Sequence, residues 1–198
     1  IAEQGNRTLA GYFNDSVVSP CLAPVERREE FLSVVHGRVS EIISRDAADR
    51  ACEHLRRSFY ASTADHHGPV GHPFFLNSHL AQSAANRRAG LNHVIVFAYG
   101  GISLNNSSLP RSLVFHDRTL AERRLHFFSL RNRHHSVYGL PAYGSEALKR
   151  MKEAARSLVP EKDFNIVERL ISEIYGNEYV MAQPSFSDQM SRANYDVW

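Results

Sequence analysis

Val94-Ile95-Val96-Phe97-Ala98 decides the fold, because an unbroken apolar run rich in β-branched residues reads as a strand covered on both faces. Working backwards from it, Asn77 or Ser78 is placed to cap a helix over about 79–89, closed by Gly90. Before that helix, Phe59-Tyr60-Ala61-Ser62-Thr63 is short and β-inclined, and it delivers the chain to Asp65. Strand, loop, helix and strand in this order make a βαβ unit. The expectation is an α/β fold with a mixed or mostly parallel sheet flanked by helices.

Outward from this unit the chain reads as one domain over residues 1–198. Residues 1–22 are polar, broken by Gly5, Gly11 and Pro20, and read as an irregular arm. Residues 24–58 form a helical layer. Pro24 suits a helix start, and Phe31, Val34, Val35, Val39, Ile42 and Ile43 recur at three- and four-residue steps. A second helix over 47–58 turns Ala48, Cys52, Leu55 and Phe59 inward. Residues 59–140 hold the sheet and the site loops. Leu113–Phe115, Leu125–Phe128 and Ser136–Tyr138 are further strand candidates, and Asp117 is placed to cap a helix near Leu120. Helices are expected over 145–157, 161–175 (closed by Gly176) and 187–198. Ile1 and Trp198 give both ends a cut look, so the domain is expected to be incomplete, with missing flanking segments or a homo-oligomer left open.

The charge balance of 23 basic and 21 acidic residues argues against nucleic acid as a partner. No apolar run is long enough to span a bilayer, so no membrane partner is expected and a cytoplasmic protein is the reading. Cys21 and Cys52 make no disulfide framework and read as inert buried thiols. Histidine stands out with 11 copies, four of them from His66 to His79.

That cluster, Asp65-His66-His67-Gly68-Pro69-Val70-Gly71-His72, is the leading candidate site. Carboxylate and neutral imidazole are the ligand types that hold Zn, Mn or Fe as divalent ions. On an extended segment residues i and i+2 face the same way, so Asp65 and His67 converge while His66 points away. Gly68 and Gly71 let the backbone fold back and bring His72 or His79 into reach. His66, His72 and His116 are the acid/base candidates, and His116 is also a late candidate ligand at the end of a short strand expected near residue 100. Metal-free acid/base chemistry or substrate binding remains an alternative for the same cluster. So does a loop of surface histidines.

The second candidate is the loop from Gly100 to Arg111. Paired glycines after a buried strand, then Ser103, Asn105, Asn106 and Arg111, make a polar wall for a substrate. No Gly-Lys-Ser/Thr and no G-x-G-x-x-G occurs, so it is neither a Walker loop nor a dinucleotide fingerprint. An ordinary turn-rich loop is the plain alternative. The run Arg131-Asn132-Arg133-His134-His135 reads as solvated surface.

Residues 62–115 resemble the front half of creatininase-type metal-dependent amidohydrolases, which place Glu-x-His-Gly-Pro-His after a strand and a Tyr-Gly loop after a later one. Asp65-His66-His67-Gly68-Pro69 stands at the first motif, and Val94–Ala98 with Tyr99-Gly100 at the later positions. The resemblance implies that Asp65 replaces the metal-binding Glu and that His67 matches the metal-binding His. Asn77 stands near a ligating Asp of the family, and the second motif, Asn-Gly-His-Gly-Gly-Asn, is absent. Asp65-His66-His67 is also similar to one motif of the phosphoesterases named for that triplet.

The reading favours an enzyme, a metal-dependent hydrolase acting on an amide or ester bond of a small polar substrate. Asp65, His67, His72 and His79 are its ligand candidates. The alternatives are a transferase or ligase fragment binding a phosphorylated ligand through Gly100–Arg111 without metal, and a non-catalytic ligand-binding module.

Overall fold

The computed structural model describes residues 25–58, 61–64, 67–69, 73–88, 90–104, 111–116, 119–128 and 135–197. The chain forms two compact units, residues 1–64 with 73–97, and residues 65–72 with 98–198.

In the first unit, α1 (Val25–Ile42) and α2 (Arg45–Ser58) form a helical hairpin. Ser44 starts α2 by accepting the Ala47 N–H at its Oγ, the usual task of a cap. Leu32 and Val35 of α1 pack on Cys52 and Leu55 of α2, with Val39, Ala61 and Ile95 alongside. Ala48, Cys52 and Leu55 lie inward as their spacing predicts. The Cys52 thiol donates to the Leu32 carbonyl at 3.4 Å, and burial pushes its pKa up, which leaves it an inert thiol. Helix α3 spans Pro73–Arg88, one and a half turns more than the sequence suggested, so Asn77 and Ser78 lie inside it instead of capping it. Its end is as expected. Gly90, at φ +72°, donates to the Arg87 carbonyl while Leu91 donates to Asn86, the paired bonds of a glycine-closed helix.

The mixed or mostly parallel sheet expected from the sequence is not found among the described residues. Among the described residues the strands make two ribbons of two strands each, β1 (Ser62–Ala64) with β2 (Val96–Ala98), and β3 (Ser112–His116) antiparallel to β4 (Glu122–His126). Helices account for 63% of the described residues, so the protein is helix-dominated and the α/β expectation is overturned. The physical reason lies in Val94–Ala98. Among the described residues its strand is only Val96–Ala98, with one further bond from the Ser62 N–H to the Ile95 carbonyl, and Val96 and Phe97 are exposed. An apolar run has the same composition in a central strand and in a short ribbon, and its periodicity does not separate the two. The helix expected near Leu120 is likewise absent. Leu120 takes a positive φ at the hairpin turn, and the chain continues into β4. Ser136–Tyr138 forms a single bridge and a 3₁₀ turn instead of a strand.

The second unit is built on the β3–β4 hairpin, α4 (Ser145–Leu158), α5 (Glu161–Leu170), α6 (Glu178–Met181) and α7 (Phe186–Val197). Its core joins Leu113, Leu125, Phe127, Val137, Tyr143, Met151, Ile171, Tyr175, Phe186 and Met190. Phe127 sits among Tyr143, Tyr175 and Phe186 with ring centres 4.7 to 5.7 Å apart, tilted or edge-on, as aromatic quadrupoles prefer. Gln189 is fully buried and clamps the Tyr143 backbone, accepting its N–H at 2.8 Å and donating to its carbonyl at 3.1 Å. Beyond α5 the helix loosens into a π turn over Ile171–Tyr175, and Tyr143 donates its hydroxyl to the Tyr175 carbonyl at 2.7 Å. A carbonyl left unpaired by that loosening thereby keeps a partner. No helix among the described residues is long and apolar enough to cross a membrane.

Candidate functional site

The site begins with the first turn of α7. Ser185 precedes it, accepting the Asp188 N–H at its Oγ and donating its own proton to the Asp188 carboxylate at 2.9 Å. This reciprocal cap fixes where the helix starts. With that phase set, Ser187, Ser191 and Asn194 fall at steps of four and three, along one face. The His67-Gly68 segment lies against this face, in the same unit.

His67 is only 5% exposed. Its Nε2 lies 2.8 Å from the Ser187 carbonyl oxygen, an atom that can only accept, so Nε2 carries the proton. Ser191 Oγ stands further off, at 3.5 Å from the same nitrogen. The Asn194 amide donates to the Gly68 carbonyl at 3.0 Å and holds the next residue. Burial drives the His67 pKa down, and the Ser187 bond and the Asp188 charge oppose it only in part. The ring is therefore neutral, with its lone pair on Nδ1. That atom is buried and has no hydrogen-bond partner among the described residues.

The other expected site residues distribute as follows. Asp65, His66, His72, Asn105 and Asn106 lie outside the described residues. His79 is buried in α3 of the first unit, where burial lowers its pKa, and it shares a helix face with buried Gln82 and Asn86. Ser103 bridges Ser136, and the neighbouring bonds tie residues 100–104 to 135–138. The Gly100 position is tight, since a Cβ there would come within 3.2 Å of Tyr138 Cβ. His116 ends β3, exposed and opposite Glu122 of β4. Arg111 is 4% exposed and sits just before β3, its carbonyl accepting from Phe127.

Arg111 also borders a pair that the sequence did not suggest. Ser112 and His126 are direct cross-strand partners, with Oγ 2.6 Å from Nδ1. Burial, then Arg111 and Arg124, push the His126 pKa down, so its Nδ1 accepts the serine proton. The hydroxyl of Ser112 is almost wholly buried, and the pair serves as a link across the hairpin. Ser187, Ser191 and Asn194 were missed as well. Their only mark in the sequence is the spacing of three small polar residues on one helix.

Among the described residues no group of three or more His, Cys, Asp or Glu side chains is placed to hold a metal ion. No protein-family model matches the chain, and no curated protein or solved structure is significantly similar to it.

Proposed function

We propose that the chain carries the site of a metal-dependent hydrolase acting on an amide or ester bond of a small polar substrate, with His67 as a ligand through Nδ1. One observation supports this reading above the rest. A histidine that binds a metal through one ring nitrogen usually gives its other N–H to a carbonyl or carboxylate, which fixes tautomer and orientation. His67 has that arrangement, with the Ser187 carbonyl on Nε2–H and a buried lone pair on Nδ1. Asp65 and His72 of the same segment are the further ligands in this reading. A bound divalent ion supplies a water of lowered pKa and polarises a carbonyl. The chain's own part is to keep His67 neutral, oriented and dry.

Metal analysis of untagged protein tests the proposal. About one equivalent of Zn, Mn or Fe per chain is expected in the wild type, and a small fraction of that in His67→Ala. Equal trace amounts in both proteins, with no uptake when Zn²⁺ is added, contradict it.

A further inference from the structure

We infer that Asn194 is a positioning residue for His67, acting from the polar face of α7 through the Gly68 carbonyl. This deepens the metal-ligand reading of His67 and rests on it for the ion, though the positioning itself does not. The segment around His67 meets a helix more than a hundred residues away along the chain, and tertiary bonds tie it there. The Ser187 carbonyl accepts the His67 Nε2–H at 2.8 Å, and the Asn194 amide donates to the adjacent Gly68 carbonyl at 3.0 Å. The two anchors are seven residues apart on one helix, two turns along the same face. Packing encloses the ring, but a single bond still lets it tilt about that bond. A second bond on the next residue removes that freedom and keeps Nδ1 aimed in one direction. Ser191 Oγ lies too far from Nε2, at 3.5 Å, to replace the Ser187 carbonyl as the main acceptor.

The test reads the proton on the ring directly, from the ¹⁵N shifts of the His67 nitrogens, in wild type, Asn194→Ala, Asn194→Asp and Ser191→Ala. Asn194→Asp preserves shape while removing the donor, so it stands in if the alanine variant fails to fold. The wild type and Ser191→Ala are expected to show His67 protonated at Nε2 alone. Both Asn194 variants are expected to show a mixture of tautomers, and Zn²⁺ affinity about 10–100-fold weaker, the usual loss when support behind a ligand is removed. An unchanged tautomer in folded Asn194→Asp overturns the inference. Absence of Zn²⁺ binding in every protein, with the tautomer shift still present, instead sinks the metal reading and leaves the positioning role standing.

Discussion

A neutral imidazole offers a metal ion the lone pair of one nitrogen while the other keeps the proton, and at His67 that division is made by the Ser187 carbonyl. The two nitrogens can be separated by substitution. In His67→Gln the side-chain amide retains a donor near Nε2 and removes the atom at Nδ1. Its urea midpoint is expected to stay close to wild type while metal uptake disappears. His67→Ala loses the bond as well, and an unfolding free energy lower by about 1–3 kcal/mol is expected. Equal destabilisation of the two variants would contradict this assignment of the nitrogens. The sequence draws attention to His67 because a dense run of His, Asp and Gly is uncommon and offers ligand chemistry. Its supports were not legible, since Ser187 and Asn194 become neighbours only through tertiary packing.

At the scale of elements, the cap of α7 matters twice, for the helix and for the face that holds His67. Ser185→Ala removes both halves of the cap, and a loss of about 1 kcal/mol is expected from thermal unfolding followed by circular dichroism. A melting temperature unchanged from wild type would show that the helix start is fixed by packing alone. The π turn offers a second check. Tyr143→Phe leaves the buried Tyr175 carbonyl without its hydroxyl partner and is expected to cost about 1–3 kcal/mol in the same assay. Helices were the readable part of this chain. The amphipathic spacing over 24–43, 47–58 and 145–157 was strong and met little competition. Strands were not readable to the same degree. Of the candidate Leu125–Phe128, Leu125 and His126 do lie in β4, whereas Phe127 and Phe128 follow the strand and pack with Tyr143 and Phe186. Glu178–Met181 is a single turn held by the Asn177 cap, too short to leave a period.

At the scale of the whole molecule, Tyr143 and Tyr175 are both pushed far above the ordinary tyrosine range by burial. The unfolded chain loses these phenolic protons near pH 10, whereas the folded chain holds them. Between those values the unfolded state binds fewer protons, so stability falls as pH rises. Their contribution is complete below about pH 10 and is lost above it. Phenolate absorbance is expected to show these two tyrosines ionising only as circular dichroism reports unfolding. Ionisation of all tyrosines in one wave ahead of unfolding would contradict their burial. The helix-dominated outcome also has a cause at this scale. Among the described residues the second unit builds its core from one hairpin and four helices, so the apolar residues of its strands pack against helices in one shared cluster.

The central claim is that His67 is a neutral ligand presenting Nδ1, with Nε2 tied to the Ser187 carbonyl. Titrating Zn²⁺ into ¹⁵N-histidine-labelled protein tests it most directly. The account predicts that the His67 Nδ1 resonance moves as the ion binds while Nε2 stays protonated. An Nδ1 resonance indifferent to Zn²⁺, or an ion bound at Nε2, would contradict it.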